Sequence, residues 1–176
     1  MNLKTVRPLG RSLGTEGTSL TGGEDMGLVY ADIELINGED LVLRRHGLCT
    51  DESVRRVKTR ALVDSGAYEL VITDVVARHL DLPVVEQRIV TLADDRHCSV
   101  DIVGPIDVRF ENRRTTVRAY VLPGATQVLL GAIPLEGLDV MIDPRQQKLV
   151  VNPLYPDMAS SIIKNIQANR SNVYSR

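Results

Sequence analysis

The stretch Ala61-Leu62-Val63-Asp64-Ser65-Gly66-Ala67 places one carboxylate at the end of an apolar run and follows it with small residues. A short apolar run of this kind predicts a buried strand. The small residues after it predict a tight turn, which brings backbone N–H groups close to the acid. An acid held there is shielded on one side and accessible on the other, which suits acid–base catalysis. The alternative is an Asx-turn, in which the Asp64 carboxylate only caps its own backbone.

The composition limits the classes of protein that the chain can represent. Its 176 residues are enough for one domain with a core, and with one Phe, five Tyr and no Trp that core must be aliphatic, as suits β-structure. A net charge of −2 argues against general binding to nucleic acid or to a membrane surface. There is no run as long as a transmembrane helix, no secretory signal and no disulfide framework, so we expect a cytoplasmic location.

Two pairs of soft ligands raise a zinc site as an alternative. His46 lies shortly before Cys49, and His97 directly precedes Cys98. This spacing matches no familiar zinc module, and nothing in the sequence brings the pairs together. We therefore expect no metal site and no cofactor.

The chain divides into a leader, a patterned domain and a tail. Residues 1–25 are rich in Gly, Ser and Thr without periodicity, which predicts a disordered leader. The domain spans 26–153, and Met26 at its start is a candidate for the true first residue. Residues 154–176 form a C-terminal tail in which we expect a short helix over 160–168.

Alternating and apolar runs within the domain predict short strands joined by turns. The expected strands are 30–36, 41–43, 57–63, 88–92, 98–102, 106–110, 115–122, 128–130, 138–142 and 148–151. Thr73 predicts the cap of a short helix over 74–80, and Pro134 suits the first turn of a second helix. Successive hairpins with one or two short helices predict an all-β fold.

Two sequence motifs follow one another along the chain. The first is the apolar run into Asp64-Ser65-Gly66-Ala67, and the second is Val128-Leu129-Leu130-Gly131 leading into a short helix. Together with the Leu-Asp-Val-Met-Ile-Asp-Pro ending at 138–144, they resemble the retropepsin-like aspartic proteases, specifically the single-domain bacterial and archaeal members. The resemblance covers 26–153. It implies a small closed barrel in which Leu129, Leu130 and Gly131 lie beside the catalytic loop.

The resemblance also assigns roles to individual residues. It makes Asp64 the catalytic residue, and it implies that the Ser65 hydroxyl reaches across a dimer axis to brace the two catalytic loops. Gly66 and Ala67 would form the turn whose backbone contacts an extended substrate. The hairpin 88–102 would be the flap that covers the substrate. The tip of this flap comprises Ala93, Asp94, Asp95 and Arg96.

The chain departs from the viral members of that family at two places. Their flap tip is rich in glycine, whereas this one is charged. An arginine follows their second glycine and braces the catalytic loop, whereas Ala132 stands at that position here.

Two further aspartates near the end of the domain, Asp139 and Asp143, could be mistaken for catalytic partners of Asp64. Asp143 precedes a proline, so we expect it to form a turn.

With one such motif in the chain, the resemblance implies a homodimer in which Asp64 and its twofold mate share a proton and activate water between them. The expected activity is hydrolysis of peptide bonds in an extended peptide or protein substrate. A second hypothesis is a dimeric peptide-binding or scaffold protein without turnover. A third is an unrelated β-barrel in which Asp-Ser-Gly is a plain turn.

Overall fold

The structure is a computed structural model that describes residues 27–91, 95 and 97–161. This part of the chain contains nine strands, three short helices and one 3-10 turn. The strands are β1 Val29–Asn37, β2 Arg56–Val63, β3 Leu70–Ile72, β4 Val84–Thr91, β5 His97–Phe110, β6 Arg113–Val121, β7 Val128–Leu130, β8 Val140–Asp143 and β9 Lys148–Val151. The helices are α1 Gly38–Arg45, α2 Asp74–Leu80 and α3 Ala132–Leu138, and the 3-10 turn is Asp51–Ser53.

The strands form one sheet in the order β4-β5-β6-β3-β7-β2-β1-β9-β8. An additional antiparallel pairing between β5 and β1 joins the sheet to itself, so β5, β6, β3, β7, β2 and β1 close into a barrel. Its interior is aliphatic, with side chains such as Leu35, Leu70, Ile106 and Leu130 fully excluded from solvent. The predicted all-β class and the small closed barrel are confirmed.

The barrel is built from two similar halves. In the first half, β2 leads through the loop 64–67 to β3 and α2, and in the second half β6 leads through the loop 122–125 to β7 and α3. Both helices end at an aspartate in the left-handed conformation, Asp81 with φ 46° and Asp139 with φ 52°. The same local order of strand, loop, strand and helix therefore occurs twice in the chain.

The strand pairings repeat with the elements. β2 pairs in parallel with β7, and β3 pairs in parallel with β6. The two central strands, β3 and β7, run antiparallel and meet at Val71 and Leu129. A rotation that places the first half on the second carries the pairing of β2 with β7 onto that of β6 with β3. The same rotation exchanges Val71 with Leu129. The two halves are thus related by an approximate twofold axis between these residues.

The strand predicted over 41–43 is wrong, because Gly38–Arg45 forms α1. Asn37 ends β1 and caps this helix, since its Oδ1 accepts hydrogen bonds from the N–H groups of Glu39 at 2.8 Å and Asp40 at 3.2 Å. An Asn cap followed by acidic residues in the first turn favours a helix over a strand. The structure therefore has three short helices in its described part, rather than the one or two that were expected.

Other boundaries shift for local reasons. The strands expected over 98–102 and 106–110 are one long strand, β5, with an irregularity between Val103 and Ile106 where the Gly104–Pro105 peptide is cis. β8 begins only at Val140, because α3 continues through Leu138. The strands expected over 30–36, 57–63, 115–122, 128–130 and 148–151 are confirmed within one or two residues, as is α2 with Thr73 as its cap.

The tail packs back onto the domain as far as the structure describes it. Asn112 donates to the Pro156 carbonyl at 2.8 Å, and Arg113 donates to the Tyr155 carbonyl. The Asp139 carboxylate accepts hydrogen bonds from Asn152 and Ser160, and these, the Asn152 bond first, hold the pKa of Asp139 below its ordinary value. Asp139 is thus a structural anchor.

Asp143 forms the predicted turn, because its Oδ1 accepts from the N–H groups of Arg145 and Gln146. The leader 1–25, Met26 and residues 162–168 of the expected terminal helix lie outside the described residues. No helix in the described ranges combines the length and the apolar character needed to cross a membrane.

A polar cluster ties α1 to the end of α2. The buried Asn37 side chain donates to the Leu80 carbonyl at 2.9 Å. Arg55 donates to both oxygens of the buried Asp40 carboxylate, at 2.8 Å from Nε and 2.6 Å from Nη2, and it also pairs with Asp81. The side-chain hydrogen bond from Arg55 is the main reason that the pKa of Asp40 lies below its ordinary value.

We expect Asn37→Ala to lower the free energy of unfolding by about 2–4 kcal/mol, because it removes a helix cap and leaves the buried Leu80 carbonyl without this partner. Thr73→Ala is the matched control, since Thr73 caps α2 without a second tie, and it should lose about 1 kcal/mol. Urea unfolding followed by circular dichroism measures both values. Equal losses would contradict the role of Asn37 as a tie between the helices.

We expect Asp40→Asn to lower stability by about 2 kcal/mol at pH 7, because Arg55 loses its charged acceptor. The folded-state pKa of Asp40 is lowered, so its stabilisation is complete above the unfolded value near 3.8 and is lost as pH falls through the folded value. The gap between wild type and variant should therefore be constant from about pH 5 to 7 and shrink progressively as pH falls below about 4. Asp32→Asn, at an exposed position of β1, is the control. Urea unfolding at several pH values tests this, and a gap that does not shrink as pH falls below the unfolded value would contradict it.

Candidate active site

Asp64 lies where β2 ends, in a loop that hydrogen bonds fix to the barrel. Its N–H donates to the Leu130 carbonyl at 3.1 Å, which extends the pairing of β2 with β7 by one residue. The Gly66 N–H donates to Asp64 Oδ1 at 2.9 Å, and the Ala67 N–H donates to the Asp64 carbonyl at 3.1 Å. The Asx-turn considered from the sequence is therefore present. It occupies Oδ1 of a half-buried carboxylate and does not by itself exclude a catalytic role.

The catalytic loop predicted over 64–67 is braced from below by the N-terminus of α3. The Ala132 N–H donates to the Ala67 carbonyl at 2.8 Å, and the Ile133 N–H donates to the Tyr68 carbonyl at 2.9 Å. The first N–H groups of a helix have no partner within the helix, so they are available for this contact. Backbone groups at Ala132 and Ile133 therefore hold the loop, and no side chain at position 132 takes part.

Gly131 allows the loop to pass directly over the junction of β7 and α3. A Cβ atom at this position would lie 2.3 Å from the Glu69 carbonyl oxygen, 2.8 Å from the Tyr68 carbonyl carbon and 2.9 Å from the Ala67 carbonyl oxygen. These are backbone atoms that cannot turn away as a side chain can. The second motif, Leu129, Leu130 and Gly131, thus lies against the Asp64 loop in the single chain.

A cleft with a volume of about 630 Å³ opens above Asp64. Its walls are mainly apolar and come from the loop, the central strands, the hairpin of β4 with β5, and β6. The described residues that line it are Asp64, Gly66, Ala67, Val71, Val90, Thr91, Val100, Tyr120, Leu122 and Leu129. Among these residues Asp64 alone carries a carboxylate. Val63 and Leu70, which flank the loop in sequence, are buried in the barrel core and do not line the cleft.

The second loop of the approximate twofold repeat carries no acid. Its Ala125 N–H donates to the Leu122 carbonyl at 3.0 Å, which matches the bond from Ala67 to Asp64 in the first loop. Leu122 therefore stands at the position equivalent to Asp64 and lines the same cleft. One chain thus supplies a single carboxylate to the described cleft.

The remaining predicted site residues are placed as follows. Ser65 and Gly66 are exposed and Ala67 is half-buried. The β4–β5 hairpin that was predicted as a flap is present, and Val90, Thr91 and Val100 of this hairpin line the cleft. At its tip, Asp95 has a left-handed φ of 62°. Three tip residues lie outside the described part of the chain, namely Ala93, Asp94 and Arg96.

The sequence did not single out the strand residues that line the cleft. Val71, Val90, Val100 and Tyr120 belong to four different strands, and strand periodicity alone does not tell which face borders a cleft.

The zinc alternative receives no geometric support, because no group of three or more His, Cys, Asp or Glu side chains in the described ranges is placed to hold a metal ion.

No protein-family model matches the chain, and no curated protein is similar to it in sequence. Among solved structures the chain is similar to the retroviral protease-like domain of Ddi1 from Leishmania major, with a TM-score of 0.46 and 17% sequence identity. This similarity covers 72% of the present chain and 89% of that domain. The class of the fold, a mostly β protein with a closed six-stranded barrel, follows from the strand pairings themselves.

We expect Gly131→Ala to destabilise the protein by about 3 kcal/mol or more, because the new methyl group meets backbone atoms. Gly124→Ala is the control. It introduces a side chain at a φ of 77° but into open space, so it should lose about 1 kcal/mol. Urea unfolding and soluble yield measure both effects. Equal losses in the two variants would show that the loop does not depend on the close contact at Gly131.

Proposed function

We propose that the chain is an aspartic endopeptidase of retropepsin-like type that acts as a homodimer. One observation carries this proposal: Asp64 is the single carboxylate among the described residues of a largely apolar cleft, in a loop fixed by backbone hydrogen bonds. A rigid, partly desolvated carboxylate beside an open cleft can act as an acid or a base on a bound substrate. The Asp-Ser-Gly-Ala stretch that resembles this family supplies that residue.

Hydrolysis of an amide by carboxylates alone needs two of them. One removes a proton from water, while the other, protonated, polarises the carbonyl group under attack. Since Leu122 replaces the acid in the second loop, the second carboxylate has to be Asp64 of another copy. A twofold contact that brings the two Asp64 loops together would complete the site. In this dimer the exposed Ser65 would contact the partner's loop.

The substrate in this proposal is a peptide or protein segment in extended conformation. Such a segment can add its backbone to the hairpin of β4 and β5 as a further strand, and its side chains then enter the cleft alternately. The hairpin would cover the substrate as a flap, with Ala93, Asp94, Asp95 and Arg96 at its tip. Val71, Leu122 and Leu129 favour aliphatic side chains next to the bond that is cut.

A second candidate function is the binding of extended peptides without turnover. Two features favour it. Asp64 Oδ1 already accepts a hydrogen bond from the Gly66 N–H, and the flap tip carries charged residues where viral enzymes carry glycine. A dimer that retains peptides but cleaves none between about pH 3 and 8 would support this function over the first.

We also propose a cytoplasmic location. Cys49 and Cys98 are both free thiols, which agrees with a reducing compartment.

We expect Asp64→Asn to lower the cleavage rate by about 10²- to 10⁴-fold or more while the dimer stays folded. A library of peptides provides the substrates, and size-exclusion chromatography with light scattering monitors the dimer. Asp32→Asn, an exposed aspartate away from the cleft, is the matched control and should keep full activity. Unchanged activity in Asp64→Asn would refute the proposal.

A mixing experiment tests the shared site separately. When wild type and Asp64→Asn are refolded together in equal amounts, random pairing leaves about one quarter of the dimers with two carboxylates. Activity should fall to about one quarter if both are needed, and to about one half if each protomer acts alone.

A further inference from the structure

A charged network lies beside the cleft and contacts one of its lining residues, Tyr120. Arg88 on β4 donates to both carboxylate oxygens of Glu86, at 2.7 Å from Nε and 3.1 Å from Nη2. Its Nη1 donates to the Tyr120 hydroxyl at 3.2 Å. Arg118 on β6 donates to the same Glu86 carboxylate at 3.2 Å. The network therefore connects the β4–β5 hairpin to the β6 wall of the cleft.

The register of the sheet places this network on the cleft side of the hairpin. Arg88 pairs across the ladder with Val100, which lines the cleft, and it stands two residues from Val90, which also lines it. Paired residues on neighbouring strands, and residues two apart along one strand, share a face of the sheet. Tyr120, to which Arg88 donates, is itself a lining residue. An extended peptide in the cleft would thus pass Arg88.

The charges in this network do not balance. Two guanidinium groups, those of Arg88 and Arg118, share the single Glu86 carboxylate. Glu69 lines a shallow neighbouring groove with Arg118, but within the described ranges it forms no ion pair with it. The Arg88 and Arg118 side chains are 43% and 49% exposed, so both remain accessible to a ligand. The network of Glu86, Arg88 and Arg118 beside the largely apolar cleft therefore carries one net positive charge.

We propose that this network is a specificity subsite for an acidic side chain of the substrate. The inference rests on the proposed peptidase function and adds to it the class of segment that is recognised, namely aliphatic residues at the cut bond with Asp or Glu further out. A twofold dimer has two such subsites, so the preference applies on both sides.

The test is cleavage of a randomised decapeptide library, with cut sites identified by mass spectrometry. The measured quantity is the enrichment of Asp and Glu over Asn and Gln at each position around the cut. For wild type we expect an enrichment of about two- to fivefold at one position on each side, as suits an exposed ion pair. The enrichment should fall to about one in 0.5 M salt, which screens such pairs.

Variants of the network should shift this enrichment in opposite directions. Arg88→Gln should abolish it, Arg88→Lys should keep part of it, and Glu86→Gln should raise it, because both arginines lose their protein partner. General damage to the fold cannot produce both a fall and a rise. Arg145→Gln, in the exposed turn between β8 and β9, is the matched control and should leave the enrichment unchanged.

The same library distinguishes a failure of this inference from a failure of the proposed function. Cleavage without acidic enrichment overturns the subsite and leaves the peptidase. If nothing is cleaved, the library is passed over immobilised Asp64→Asn protein and retained peptides are sequenced. Acidic enrichment among them supports the subsite in a peptide-binding protein, whereas no retention or no enrichment overturns it.

Discussion

The arrangement of the candidate site depends on the close passage of the loop after β2 over Gly131. Because this residue has no Cβ, the carbonyl groups of Ala67 and Glu69 approach its Cα closely enough for the first N–H groups of α3 to bond the loop. One contact thereby fixes the position of Asp64 relative to the central strands. The loop is held by backbone donors that the start of α3 leaves free, so this contact needs no side chain at Ala132.

The pairing of β5 with β1 closes the barrel, and the difference between the two loops of the approximate twofold repeat determines the chemistry of the cleft. β3 and β7 are exchanged by the axis, and each continues into a helix that ends at a left-handed aspartate. The loops on either side of the axis have the same hydrogen-bonded turn, but their equivalent side chains differ. Asp64 occupies one and Leu122 the other. The asymmetry leaves a single acid facing an aliphatic wall, and this imbalance is what makes a second copy of the chain part of the proposed site.

Two polar clusters of the domain differ in their accessibility to solvent. In the cluster of Asn37, Asp40 and Arg55, the amide and the carboxylate are buried and hydrogen-bonded within the cluster, so the cluster holds α1 against α2. The network of Glu86 and Arg88 is half-exposed, lies on the hairpin and carries surplus positive charge. An ion pair in the interior stabilises the fold, whereas an accessible pair beside the cleft would, in the proposed subsite, distinguish among ligands, because a carboxylate from outside can reach it.

The sequence by itself determined the all-β class, most strand positions and the α2 cap at Thr73, because each depends on local periodicity or on turn chemistry. The expectation that the Asp64 loop lies beside the second apolar motif came from the family resemblance, and the structure brings these two stretches together. The sequence pattern assigned 41–43 to a strand because the three residues are apolar, and it did not recognise Asn37 as a helix cap. It also separated 98–102 from 106–110, although pairing with β6 makes them one strand. Only the tertiary structure decided that Val63 and Leu70 point inwards while Val71, Val90, Val100 and Tyr120 form the cleft. Neighbouring strands from distant parts of the chain select which face of each strand meets solvent, and no local pattern records that choice.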